Sequence, residues 1–206
     1  MPTADYVVHI VDDEEPVRKS LAFMLTMNGF AVRVHESATA FLKFAPGTRN
    51  ALLISDLRMP DIGGLELIRS LAAQKIRMPV IFITGHGDVA MAVEAMKAGA
   101  VDFIEKPFDD TTIIEAIERA AKLLVEKPTE VTEVQEVLSR LQSLSDRERQ
   151  VLLAVVAGLP NKSIAYDLDI SPRTVEVHRA NVMAKMRARS LPQLVRMTMA
   201  AGFDQE

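Results

Sequence analysis

At 206 residues the chain is long for one average domain and comfortable for two small ones. It has no cysteine, which removes disulfide frameworks and thiolate metal sites, and no stretch approaches the ~20 apolar residues that span a bilayer; a cytoplasmic protein with no membrane partner is expected. The net charge of −4 divides unevenly, with 13 Lys+Arg against 17 Asp+Glu in 1–125, 2 against 4 in 126–140 and 9 against 7 in 141–206.

In the front half, short Val- and Ile-rich runs alternate with stretches of helical period. Tyr6–Val11, Ala31–His35, Ala51–Ser55, Pro79–Thr84 and Val101–Glu105 read as strands. Between and after them, Glu14–Asn28, Ser37–Phe44, Gly63–Gln74, Asp88–Ala98 and Asp109–Val125 read as helices. Asn28-Gly29 and Gly99 are left-handed stops, and Ile113, Ile117, Ala120 and Leu124 form one core-facing stripe of the fifth helix. Five βα units predict a five-stranded, parallel, doubly wound sheet whose chemistry lies beyond the carboxyl ends of the strands. Residues 126–140 read as a linker whose latter part, with Val134, Leu138 and Leu141 at helical spacing, continues as helix. Beyond it the strand signal disappears. Ser145–Ala157, Asn161–Leu168, Ser171–Met186 and Leu191–Ala201 predict an all-α domain, and Ser171-Pro172 is a helix N-cap followed by proline at the first helical position.

Polar residues gather at the predicted active edge of the sheet. Strand 1 ends in Asp12-Asp13, strand 3 in Asp56 and strand 4 in Thr84, and strand 5 runs into Lys106-Pro107. Each alone has an ordinary reading as a cap, a strand end or a surface lysine; together they form an oxygen-only, acidic site. Converging carboxylates need a cation, and the absence of His and Cys ligands points to Mg²⁺. Asp56 is the expected nucleophile toward a phosphoryl donor, with the Thr84 hydroxyl and the Lys106 ammonium meeting the phosphoryl oxygens.

These residues lie in Val-Asp-Asp-Glu at 11–14, Asp56-Leu-Arg-Met-Pro60, Thr84-Gly-His-Gly87, Ala98-Gly-Ala100 and Asp102-Phe-Ile-Glu-Lys106-Pro107. Over about 120 residues the sequence resembles the receiver domains of two-component response regulators. The resemblance implies that Asp56 accepts a phosphoryl group from a histidine kinase. It also implies that Asp12, Asp13, Asp56 and the backbone carbonyl of Arg58 hold Mg²⁺, and that Thr84 and Lys106 sense phosphorylation. Phe103 takes the place of a rotating aromatic switch, and a cis peptide is implied before Pro107. His86 lies beside this machinery and reads most simply as loop surface.

In the tail, Ser171 to Met199 carries six bases and one acid, Glu176. Asn161–Leu168, a short link and Ser171–Met186 have the helix-turn-helix layout. On the second helix Val175, Val182 and Met186 share the core-facing stripe. Arg173, Glu176, Val177, Ala180 and Asn181 occupy the opposite side, with Thr174 beside them and Arg179, Lys185, Arg187 and Arg189 flanking toward phosphates. His178 reads as packed or phosphate-contacting rather than as a metal ligand. Leu144–Arg149, Gly158–Lys162 and Ile170–Asn181 resemble the LuxR-type helix-turn-helix of the NarL/FixJ class. Glu176 stands where a base is commoner in that class, and an acid accepts from cytosine.

The combined resemblance implies a receiver at 1–125, a linker at 126–140 and a DNA-binding domain at 141–206. The phosphorylated chain would form a homodimer, bind double-stranded promoter DNA and act with RNA polymerase to activate transcription, with nitrogen-fixation genes as the target the resemblance suggests. A phosphatase using an aspartyl nucleophile is the rival of another class. It would want a second carboxylate two residues after Asp56, where Arg58 stands, so a non-enzymatic output is expected. A receiver whose output binds protein or RNA is the other rival, and the 171–181 motif speaks against it.

Overall fold

The computed structural model describes residues 6–85, 89–125 and 130–203, except the side chains of 125 and 130–133. His86 and the first part of the predicted linker, 126–129, lie outside the described residues. Residues 6–85 and 98–125 group into one compact unit and residues 89–97 and 130–203 into a second.

The first unit holds one parallel sheet in the order β2-β1-β3-β4-β5, formed by β1 (Val7–Val11), β2 (Ala31–His35), β3 (Ala51–Asp56), β4 (Val80–Thr84) and β5 (Asp102–Glu105). Its helices are α1 (Glu15–Met27), α2 (Ala38–Phe44), α3 (Gly64–Ala73) and α5 (Asp110–Val125); α4 (Val89–Lys97) follows β4 in the chain and groups with the second unit. Side chains alternate across each strand. Val8, Ile10, Leu52, Ile54, Ile81 and Ile83 therefore share one face, where they pack with Leu21 and Leu25 of α1 and Ile113, Ile117 and Ala120 of α5. Of the predicted α5 stripe, Leu124 is the member that is only half-buried. The strand order reverses direction between β1 and β3, the crevice at which open sheets of this kind place their ligands.

Several predicted helices begin one residue late because their first residue is the cap. Ser37, Ser145 and Ser171 have extended backbone and accept from the N–H three residues on. Gly29 and Gly99 have φ of 86° and 101°, the left-handed stops expected of them.

The second unit contains α6 (Glu130–Gln142), α7 (Asp146–Val156), α8 (Asn161–Asp167), α9 (Pro172–Met186) and α10 (Leu191–Ala200). The latter part of the predicted linker is thus helix α6, and Val137 and Leu141 bury its inner face whereas Leu138 stays 42% exposed. Val175, Val182 and Met186 of α9 are buried with Val151, Leu152 and Val155 of α7 and Ile164 of α8. Pro160 occupies the cap of α8 without a side-chain hydrogen bond, and the helix starts at Asn161.

Candidate functional site

The parallel register builds the acidic pocket. Val11 pairs with Ser55, so Asp12 and Asp56 leave β1 and β3 side by side. Both are buried, at 0% and 6% exposure, whereas Asp13 is exposed at the rim. Lys106 arrives from the end of β5, where its N–H donates to the Thr84 carbonyl at 2.7 Å. Its Nζ donates to Asp56 Oδ2 at 2.7 Å and to Asp12 Oδ2 at 3.0 Å. Burial pulls the Lys106 ammonium down, but the hydrogen bonds and charges of Asp56 and Asp12 outweigh it and hold the group above its ordinary value. The remaining oxygens are oriented by backbone: Glu14 N–H donates to Asp12 Oδ1 and Arg58 N–H to Asp56 Oδ1, each at 2.8 Å. Thr84 is buried at the end of β4, Phe103 is half-buried on β5 opposite Phe82, and the Lys106–Pro107 peptide is cis.

Among the described residues no cluster of three His, Cys, Asp or Glu side chains is gathered closely enough to hold a metal. The donor chemistry nonetheless fits a hard cation. Two buried carboxylates converge on one positive charge, an oxygen donor set of the kind that binds Mg²⁺.

Three supporting residues carried no signal strong enough to single them out in the sequence. Arg18 donates to the Asp12 carbonyl, one turn into α1. Asp61 accepts from Thr39 N–H at 2.8 Å and so ties the loop after Asp56 to the start of α2. Burial raises the Asp61 carboxyl, but hydrogen bonds from Thr39 and Ile62 dominate and bring it to about 2. At Gly64 a Cβ would stand 2.6 Å from Phe82 and 2.9 Å from the Asp56 carbonyl, so only glycine lets α3 start against the strand end that carries the acceptor.

The second unit presents a different surface. Arg173, Glu176, Val177, Ala180 and Asn181 are exposed along one side of α9, Val177 at 54%, and Thr174 is half-buried beside the Ser171 cap. The flanking cations are less available than their sequence positions suggest. Arg179 is half-buried and donates to Asn161 Oδ1 at 2.6 Å, joining α9 to the first residue of α8. Burial lowers its guanidinium from the ordinary value, with Glu176 acting in the opposite direction. Lys185 donates to Glu148 Oε2 at 2.6 Å, and Glu148 in turn accepts from Ser145 N–H in the capping box of α7. Arg173, Lys185, Arg187 and Arg189 are exposed. His178 Nδ1 is sealed from solvent without a hydrogen-bond partner among the described residues, in keeping with a packed ring rather than a ligand.

Comparison with known proteins agrees with both surfaces. Residues 8–118 match the response regulator receiver domain, and residues 142–198 match the LuxR family of bacterial regulatory proteins. A transcriptional regulatory protein FixJ of Rhizobium meliloti (strain 1021) is 74% identical over 199 residues, covering 97% of this chain and 98% of its own. FixJ of Azorhizobium caulinodans is 54% identical over 95% of this chain and 92% of its own. Among solved structures, full-length FixJ from B. japonicum is 47% identical with a TM-score of 0.59, covering 97% of this chain and 98% of that one. The chain belongs to the two-component response regulators that join a receiver domain to a LuxR-type DNA-binding domain.

Proposed function

We propose that a partner histidine kinase transfers a phosphoryl group to Asp56, and that the modified chain dimerises and binds promoter DNA to activate transcription. The observation that carries this reading is the Lys106 ammonium held between the Asp56 and Asp12 carboxylates. It is a charge placed where a phosphoryl oxygen would need it and where an ordinary surface lysine would not be.

A carboxylate oxygen of Asp56 attacks phosphorus as the N–P bond of a phosphohistidine breaks, leaving an acyl phosphate on the protein. Mg²⁺, when bound by Asp12, Asp13, Asp56 and the Arg58 carbonyl, would neutralise charge developing on the phosphoryl oxygens. Lys106 then exchanges a carboxylate partner for a phosphoryl oxygen, and the Thr84 hydroxyl takes another. Movement of Thr84 leaves room for Phe103 to turn inward and reshape the surface around β5, with Pro107 fixing the turn that follows. The transfer ends on the protein's own side chain, so the output is regulatory rather than the turnover of a substrate.

Residues 1–125 act as the receiver, 126–140 as the connection and 141–206 as the DNA-binding part. On α9, Arg173, Thr174, Glu176, Val177, Ala180 and Asn181 face the duplex. Arg179 and Lys185 flank them toward the phosphates, and in the unbound chain they also tie α9 to Asn161 of α8 and Glu148 of α7. Dimerisation places two weak readers on two half-sites and raises the effective concentration of the second. Recruitment of RNA polymerase in the cytoplasm, at nitrogen-fixation promoters, is the output that the resemblance to the NarL/FixJ class implies. Mass spectrometry of the full chain after treatment with a small-molecule phosphodonor and Mg²⁺ tests the first step. One phosphoryl group on wild type and none on Asp56→Asn is expected; equal labelling of both would overturn the assignment of the acceptor.

A further inference from the structure

We propose that Glu176 is the side chain by which α9 selects cytosine, a reading that rests on α9 lying in the major groove. The exposed stripe of α9 runs Arg173, Glu176, Val177, Ala180, Asn181 and Ala184, opposite the buried Val175, Val182 and Met186. On this stripe Glu176 is the group that can only accept hydrogen bonds. Its carboxylate has no hydrogen-bond or ion-pair partner among the described residues and interacts with Arg179 only electrostatically. Arg179, for its part, is committed to Asn161 at 2.6 Å and half-buried, so it does not draw Glu176 into a closed surface pair.

A carboxylate facing a duplex is repelled by phosphates on both sides. It is tolerated only where the groove floor offers a donor. In the major groove guanine presents the acceptors N7 and O6, thymine the acceptor O4, and adenine the donor N6 next to the acceptor N7. Cytosine alone presents a donor, N4–H₂, with no acceptor on its own major-groove edge. Glu176 therefore favours one base by attraction and rejects the others by placing like partial charges against it. The apolar neighbours Val177 and Ala180 exclude water from the contact and meet thymine methyl groups, which strengthens the discrimination.

The test is selection from a duplex library with a randomised core, using the full-length, phosphodonor-treated chain as wild type, Glu176→Gln and Glu176→Ala. Wild type should enrich a half-site with cytosine at one position, preferred roughly tenfold over other bases. Glu176→Gln should move that position to adenine, which glutamine meets at N6 and N7, and Glu176→Ala should leave it degenerate, with the other positions unchanged. If all three proteins enrich the same half-site, or if the variants lose affinity equally for every sequence, Glu176 is a structural partner of Arg179 and the proposal is overturned. If wild type enriches no motif, the reading of α9 as a sequence reader fails, and the Glu176 proposal falls with it.

Discussion

Replacing Lys106 with methionine removes one ammonium and leaves two carboxylates facing each other. Asp12 and Asp56 side chains are 0% and 9% exposed, and Lys106 itself 19%, so little water is at hand to take over the lost compensation. Deleting one partner of a buried ion pair costs about 3–5 kcal/mol. The partial exposure of Lys106 and the backbone N–H donors at Glu14 and Arg58 favour the lower end, about 3 kcal/mol. Amide exchange followed by mass spectrometry on peptides from β1 and β3 isolates the receiver sheet from the helical unit, where exchange should be unchanged. A loss of about 3 kcal/mol would speed exchange of the best-protected sheet amides by roughly a hundredfold. Adding Mg²⁺ should recover part of this protection, because a cation again stands among the carboxylates. Combining Lys106→Met with Asp12→Asn and Asp56→Asn should also recover it, since the uncompensated charge is gone. Unchanged protection in Lys106→Met without Mg²⁺ would refute the view that the ammonium balances this pocket.

Two further outcomes follow from groups outside the pocket. His9 Nδ1 and His35 Nε2 lie 2.9 Å apart between Phe41 and Phe44, and burial, then His35, then Arg33 lower His9 to about 4. The unfolded chain therefore binds more protons than the fold between about 4 and 6.5, and stability falls as pH drops through that window, by on the order of 2 kcal/mol. Urea denaturation across this range should show a shallower pH slope for His9→Leu, and an unchanged slope would contradict the assignment. At the helix-turn-helix, Asn161→Ala and Arg179→Ala should each cost about 1.5–3 kcal/mol. In a double-mutant thermal-melt cycle the two losses should not add, whereas full additivity would mean that the bond does not couple α8 to α9.

The sheet, its helices and the pocket were legible because local signals agree with the fold. Val- and Ile-rich runs end in the pocket's own polar residues, and Gly29, Gly99 and the serine caps punctuate the helices where backbone geometry needs them. Lys106 reaches carboxylates 50 and 94 residues away, and the expected order of strand ends was enough to place it with them. Partners set by packing alone were not legible. For Arg179 and Lys185 helical position predicts a flanking place toward phosphates but not their partners within the fold. Their acceptors, Asn161 and Glu148, lie 18 and 37 residues earlier, at helix starts whose approach to α9 is set by packing. The His9–His35 pair depends likewise on the register of two neighbouring strands.

A switch of the chain into a DNA-binding dimer by phosphorylation of Asp56 is tested by sedimentation together with duplex binding, on wild type and Asp56→Asn, with and without a small-molecule phosphodonor and Mg²⁺. Phosphodonor should shift wild type toward dimer and tighten its sequence-specific binding while Asp56→Asn stays monomeric and weak. Equal dimerisation and equal binding by wild type in both conditions would contradict the switch.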